Sequence, residues 1–144
     1  MTGSRKSKIY FFFEKETRVE NRSKLKKFLE SIFKRERKDL GSVNLIFCSD
    51  HYLRAINRDY LQHDYYTDIV TFKLSAEGEP LAGEIYISVD RVFEKAMVFR
   101  VTKEKELHRV IIHGVLHLCG YSDKTKANKN RMTVMEDRYL AGYF

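Results

Sequence analysis

Two histidines with metal-ligand spacing stand in the segment HGVLHLCGYSD, which runs from His113 to Asp123. On an α-helix, residues four positions apart differ by about 40° around the axis, so both imidazoles project from one face. This is the spacing of the zinc-binding HExxH motif, but Gly114 stands where that motif carries its general base. The pair of His113 and His117 therefore predicts a metal site without the usual neighbouring glutamate.

A third ligand follows the helix. Gly120 can end the helix and reverse the chain, which would return Asp123 to the histidine face. Two imidazoles, one carboxylate and an open position for water form a catalytic zinc site of the His₂-carboxylate type. The alternative is a chance histidine pair without metal. Against it, the helix is largely apolar around the pair, where unpaired imidazoles are costly to bury; the apolar neighbours are Ile111, Ile112, Leu116 and Leu118.

Other residues near the pair are not predicted to bind metal. Cys119 lies about 200° around the helix from His117, and we expect Cys48 and Cys119 to be buried free thiols. His108 lies about 140° from the histidine face and is expected at the surface. We interpret Gly114 as a residue that removes side-chain bulk beside the two histidines.

The length and composition fit one globular domain, residues 1–144. Of the 144 residues, 43% are hydrophobic, which can fill a single core. The longest apolar runs fall far short of the ~20 residues that a membrane span needs. The N-terminal apolar run ends at Glu14 without a small-residue cleavage site, so we expect a first strand there and a cytoplasmic protein.

The positive charge is concentrated near the N-terminus. The chain carries a net charge of +7, and residues 1–40 hold 13 Lys/Arg against 6 Asp/Glu. A first helix over residues 22–38 carries eight of these cations, which predicts contact with a polyanion such as RNA. A solvated face is the alternative, and cations in the last turns also favour the helix dipole. The predicted RNA-binding residues are Lys24, Lys26, Lys27, Lys34 and Arg35.

Hydrophobic periodicity predicts the elements that must position these groups. The pattern is β-α-β-α-β-β-α-α-α, which favours an α+β fold with a small mixed four-stranded sheet and about five helices, or a three-layer variant of it. Two of the strands should form an antiparallel hairpin, and in the second helix Leu53, Ile56 and Tyr60 should face inward. The predicted strands are 9–13, 43–48, 68–74 and 83–88; the predicted helices are 22–38, 49–61, 88–100, 102–119 and 128–141. Ser49, Ser88 and Thr102 are the predicted N-caps.

Three segments in order resemble one known family. HGVLHLCGYSD resembles the HGxLHLxGYDH signature of the YbeY family of rRNA maturation factors, which are metal-dependent single-strand endoribonucleases. NRDYLQHDYYTDIVTF, residues 57–72, resembles its NxxYRxxDxxTDVLSF, and GEIYIS, residues 83–88, resembles its GDIxIS. The resemblance covers residues 57–140 and includes a Met132/Glu136/Leu140 spacing in the last helix.

The resemblance implies a zinc-dependent, single-strand-specific endoribonuclease that acts in maturation of the 16S rRNA 3′ end and in ribosome quality control. RNA and the small ribosomal subunit would be its partners. One Zn²⁺ per chain would be held by His113, His117 and Asp123, although the family has histidine at position 123 and aspartate at position 122, which is Ser122 here. A carboxylate can replace imidazole on zinc, but it neutralises one unit of charge and should make the bound water less acidic.

A second departure is Leu61, where the family has an arginine expected to contact the RNA phosphate or assist its cleavage. His63 is the nearest replacement candidate, and Asp68 and Glu84 are candidates for a general base. The loss at Leu61 favours one alternative function, a ribosome-associated RNA-binding assembly factor with a structural metal and weak or no cleavage. A metal hydrolase with another substrate is the other alternative. No P-loop, GxGxxG or GxSxG motif occurs in the chain.

Overall fold

Runs of β-branched and aromatic residues alternate with helical stripes along the chain, and the computed structural model describes residues 7–144. The strands are β1 (Ile9–Phe13), β2 (Leu40–Cys48), β3 (Ile69–Lys73) and β4 (Leu81–Ser88). The helices are α1 (Arg22–Arg35), α2 (Asp50–Leu61), α3 (Val89–Phe99), α4 (Lys103–Leu118) and α5 (Lys126–Tyr143). This order confirms the predicted α+β class, with a mixed four-stranded sheet and five helices.

The sheet has the strand order β1-β2-β4-β3. β1, β2 and β4 run parallel, while β3 pairs antiparallel with β4, which confirms the predicted hairpin. Phe11 lies opposite Leu45, and Leu45 lies opposite Ile85. These three side chains share one face of the sheet, because residues directly opposite each other on neighbouring strands point to the same face.

Helices cover both faces of the sheet, but unequally. The main core lies on the face of Phe11, Leu45 and Ile85, where residues of α1, α3, α4 and α5 join it. On the opposite face, α2 inserts Leu53 against Val70 in a smaller cluster. The layers are therefore α2, the sheet, and the remaining helices.

The predicted N-caps are confirmed. The hydroxyls of Ser49, Ser88 and Thr102 each accept a hydrogen bond from a backbone N–H three residues later, at 3.1, 3.2 and 3.1 Å. Thr125 caps α5 in the same way, at 3.1 Å from the Asn128 N–H. The last helix therefore begins at residue 126 and not at the predicted 128, because the sequence analysis missed this cap.

Several predicted details differ in the structure. α1 ends at Arg35 and not at 38, because Glu36 is its C-cap and Arg37 has a left-handed φ of 60°. Tyr60 was expected inward but is 70% exposed, at the edge of the small α2 cluster. The expectation of buried thiols is confirmed, and burial is the main cause that raises the pKa of both Cys48 and Cys119 to about 12. Among the described residues, no helix is long and apolar enough to cross a membrane.

α4 is buried on nearly every side, which makes it the central helix of the fold. Its Gly114 lies against the sheet: a Cβ there would sit 2.8 Å from both Ile69 Cδ1 and Ile85 Cγ2. Our interpretation that Gly114 makes room beside the histidines is therefore wrong. The missing side chain instead allows α4 to approach β3 and β4 closely.

Gly114→Ala should destabilise the protein by about 1–2 kcal/mol, because overpacking against a β-branched side chain outweighs the gain in helix propensity. Gly142→Ala is the matched control, since a Cβ there meets no heavy atom within 4 Å. Urea unfolding of the three proteins checks this. A Gly114→Ala variant as stable as the Gly142→Ala variant would contradict it.

His108 was expected at the surface, but it is buried, with only 1% of its surface exposed. The C-terminus of α5 covers it, with ring centroids of Tyr143 and Phe144 at 4.9 and 5.2 Å. Its Nδ1 donates to the Glu104 carbonyl at 2.6 Å, and its Nε2 has no hydrogen-bond partner among the described residues. Burial lowers the pKa of His108, because the charged imidazolium would lose its hydration.

The folded chain therefore binds a proton at His108 less readily than the unfolded chain does. Stability should be lost as the pH falls below the unfolded pKa of about 6.5, by up to about 1.4 kcal/mol per pH unit from this residue. Urea unfolding at pH 7.5 and 5.5 should show a larger loss for wild type than for His108→Phe. Equal losses of stability in the two proteins would show that His108 is not the source of the pH dependence.

Candidate metal centre

The three predicted ligands converge at the C-terminal end of α4. His113 and His117 lie one turn apart with their Nε2 atoms 3.0 Å from each other. Oδ2 of Asp123 lies 3.6 Å from the first Nε2 and 3.4 Å from the second. The three side chains are the one group of histidines, cysteines and carboxylates in residues 7–144 whose donor atoms gather closely enough to hold a metal ion.

Hydrogen bonds at the far side of each ring fix the tautomers. His117 Nδ1 lies 3.0 Å from the Tyr121 carbonyl oxygen, which can only accept, so this nitrogen carries the proton. His113 Nδ1 lies 2.5 Å from Oε2 of Glu136 and donates to it in the same way. When the imidazoles are neutral, both Nε2 atoms are therefore unprotonated, and each presents a lone pair.

Two lone pairs and a carboxylate oxygen that face one another repel unless a proton or a cation lies between them. Imidazole nitrogen and carboxylate oxygen are both zinc ligands, and zinc sites commonly fix the second ring nitrogen by a hydrogen bond. The arrangement of His113, His117 and Asp123 therefore fits a divalent cation. The Asp123 side chain is 41% exposed on the loop after α4, so solvent reaches this ligand of the group.

The sequence analysis missed the role of Glu136. This α5 side chain is 9% exposed, and besides His113 it contacts Arg109 Nη1 at 3.3 Å. Arg109 also pairs with Asp137 at 2.8 Å. A buried carboxylate that orients a ligating histidine is a common second layer of a metal site. The Met132/Glu136/Leu140 spacing was the available signal, but only the packing of α5 on α4 shows which residue Glu136 meets.

Negative charge around His113 favours a cation. Burial disfavours the imidazolium, but the hydrogen bond and charge of Glu136, with the charges of Asp123 and Asp68, outweigh it and raise the pKa of His113. The same fields would stabilise a metal ion bound at Nε2.

The turn after α4 brings Asp123 back, as predicted. Gly120 has a φ of 106°, and the Tyr121 N–H donates to the Leu116 carbonyl at 3.0 Å. The Tyr121 hydroxyl donates to Glu36, just beyond α1, at 2.9 Å. Glu36 also accepts a hydrogen bond of 2.5 Å from the Tyr139 hydroxyl of α5.

Comparison with known proteins decides the family. The model of the family described as Endoribonuclease YbeY matches residues 11–143. The chain belongs to the YbeY family. A protein named Endoribonuclease YbeY from Cytophaga hutchinsonii is 44% identical over 138 residues, covering 94% of this chain and 96% of that protein. One of the same name from Phocaeicola vulgatus is 48% identical over 104 residues, covering 72% and 75%.

A solved structure shows the same fold. The solution structure of a protein from Thermotoga maritima superposes with a TM-score of 0.62 at 30% identity and covers 94% of this chain and 88% of that one. The YbeY match includes α4, the loop with Asp123, and α5. The residues of the candidate centre therefore all lie inside the shared domain.

The other predicted catalytic residues, Asp68, Glu84 and His63, are not among the three side chains that converge. Asp68, before β3, pairs with Lys95 at 2.7 Å, and its negative charge contributes to the raised pKa of His113. Glu84 is not brought to the centre, because its neighbour Ile85 faces α4 and Glu84 therefore points to the other face of the sheet, where it accepts from Tyr86. His63 is exposed and stacks on Tyr65.

The predicted RNA-binding cations of α1 have different surroundings, and Leu61 lies at the end of α2. Nζ of Lys24 donates to the Tyr143 carbonyl at 3.3 Å and lies over the Tyr143 ring, and Arg35 lies 6.0 Å from the Tyr139 ring. These two cations partly support the packing of α5. Lys26, Lys27 and Lys34 line a groove on the outer side of α1. Leu61 is the last residue of α2 and is 39% exposed.

Glu136→Gln should weaken zinc binding by about 10–100-fold, because the neutral amide holds the His113 tautomer less firmly. Asp137→Asn is the matched control, since it removes the neighbouring carboxylate that pairs with Arg109 but does not contact His113. Competition with a fluorescent zinc chelator measures both affinities. Equal affinities of the two variants would argue against an orienting role for Glu136.

Proposed function

We propose that this chain is a zinc-dependent, single-strand-specific endoribonuclease that acts in rRNA maturation at the 16S 3′ end and in ribosome quality control. It would act in the cytoplasm on the small ribosomal subunit. The observation that carries the proposal is the convergence of two fixed Nε2 lone pairs with the Asp123 carboxylate. The naming of the YbeY relatives as endoribonucleases supports RNA as the substrate.

RNA cleavage needs a polarised phosphoryl oxygen, a nucleophile that loses a proton and a leaving oxygen that gains one. A zinc ion in such a site supplies Lewis acidity and lowers the pKa of a water that it binds. His113, His117 and Asp123 would hold the ion. Glu136 would keep His113 in the tautomer that presents Nε2, and the Tyr121 carbonyl would do the same for His117.

Asp68 remains our candidate proton acceptor, and the effect of its charge on the pKa of His113 supports this role. Lys95 pairs with its carboxylate at 2.7 Å. The same Asp68–Lys95 pair also has a structural explanation, as a link between the start of β3 and α3. Glu84 is dropped from this role because it lies on the other face of the sheet.

Elemental analysis of untagged protein tests the ligand set. Wild type and Asp123→His should retain about one zinc per chain, because imidazole replaces the carboxylate as a ligand. Asp123→Ala should lose most of it, and His113→Ala/His117→Ala should lose all of it. Zinc content indifferent to position 123 would remove Asp123 from the ligand set, and stoichiometric zinc in the double variant would refute the site.

The same proteins test the activity. Zinc-loaded wild type should cleave an unstructured RNA and leave its duplex intact, and the double histidine variant should show no cleavage. Leu61 supplies no charge where the family has arginine, and this favours the second candidate, an RNA-binding assembly factor with a structural metal. RNA binding and bound zinc without cleavage above the double variant would establish that alternative. Cleavage of another substrate class alone would indicate a different metal hydrolase.

A further inference from the structure

A basic groove runs along one side of α1 and is not lined by residues of α4, the helix that carries both histidines. It is a cavity of about 640 Å³ between α1 and the starts of β1 and β2. Two carboxylates, Glu30 and Asp39, line it, against five lysines: Lys8, Lys26, Lys27, Lys34 and Lys38. In the described part of the chain, no carboxylate lies within ion-pair distance of any of the five. The groove therefore carries an excess of positive charge, although Lys8 Nζ donates to the Leu40 carbonyl at 3.0 Å and Lys26 Nζ lies 5.0 Å from the centroid of the Phe11 ring.

A second groove shares Lys38 with the first and borders the loop that precedes Asp123. It has a volume of about 340 Å³, and Lys38 lines both grooves. Its other walls include Arg131 and the loop residues Tyr121 and Ser122, the latter directly preceding Asp123. Lys38 is therefore the junction between the basic groove and the loop that carries the candidate third ligand.

The chemistry of the second groove suits a nucleotide. The Arg131 guanidinium lies 5.3 Å from the centroid of the Tyr121 ring, so a cation and an aromatic surface adjoin each other. Glu36 is the acidic residue of this wall, and two tyrosine hydroxyls already donate to its carboxylate. Phosphates are bound by such cations, and bases stack on such aromatic and guanidinium planes.

We propose that the two grooves form one continuous track for single-stranded RNA, which binds the nucleotides on one side of the bond to be cleaved. The inference rests on the proposed function for the identity of the strand. The α1 wall from Ser23 to Lys34 is about 16 Å long, which corresponds to about five nucleotides at a stacked spacing of 3.4 Å. The second groove reaches Ser122 but is not lined by His113, His117 or Asp123, so the track would hold a flank of the substrate and not the scissile bond itself.

Charge neutralisation in the groove provides the test. The triple variant Lys26→Gln, Lys27→Gln and Lys34→Gln removes three candidate phosphate contacts. The control is Lys73→Gln, Lys103→Gln and Lys105→Gln, which makes the same change in net charge at exposed lysines outside both grooves. Binding of a labelled, unstructured 15-nucleotide RNA to the chelator-treated full chain is measured by fluorescence anisotropy over a range of salt concentrations.

The groove variant should lower the slope of log affinity against log salt by about 2, and weaken binding about 100-fold at 0.1 M salt. The control variant should change both far less. In acetylation footprinting of wild type, RNA should protect Lys27, Lys34 and Lys38 but not Lys105. Equal effects of the two triple variants, or no protection in the groove, would overturn the track.

Three further results distinguish the track from the proposed nuclease activity and from a surface that binds acidic protein. Groove-dependent RNA binding without cleavage by the zinc-loaded chain would support the track and refute the proposed nuclease activity. Cleavage with unchanged affinity in the groove variant would refute the track and leave the nuclease proposal intact. A polyglutamate of 15 residues that displaces the RNA at equal charge concentration would show a surface for acidic protein, and so would overturn the assignment to RNA.

Discussion

The close approach of α4 to the sheet is the constraint on which the rest of the structure depends. Gly114 permits it, and the surrounding helices then bury α4 on almost every side. An apolar helix in that position leaves little room for polar side chains, and the two histidines beside Asp123 each have a hydrogen-bond partner at Nδ1. His113 meets Glu136 and His117 meets the Tyr121 carbonyl, and these partners decide which ring nitrogen faces Asp123.

The candidate centre thus joins three parts of the chain that pack for separate reasons. α4 supplies the histidines, the reversal at Gly120 supplies Asp123, and α5 supplies Glu136 with its partner Arg109. The histidine spacing is local, whereas the carboxylate behind it is a product of tertiary packing. A carboxylate at position 123 also gives the centre a lower net charge than an all-histidine site would have.

Local signals predicted much of this structure. The i, i+4 histidines, the glycine that ends α4 and the Ser and Thr caps depend on neighbouring residues, and each lies where the sequence analysis placed it. Features that depend on tertiary packing were harder to predict from the sequence. His108 was assigned to the surface from its angle to His113, yet the end of α5 covers it. Glu84 was considered for the site from its motif, yet strand alternation turns it to the other face.

Glu36 has a consequence beyond its hydrogen bonds. This single carboxylate at the end of α1 accepts from Tyr121 in the metal-site loop and from Tyr139 in α5. The loop therefore cannot swing outward without giving up a charge-assisted hydrogen bond to α1, and α1 cannot slide along the sheet without pulling on the loop. One carboxylate thus joins α1, the loop and α5, and a displacement of the basic helix would strain the hydrogen bond that holds the loop before Asp123.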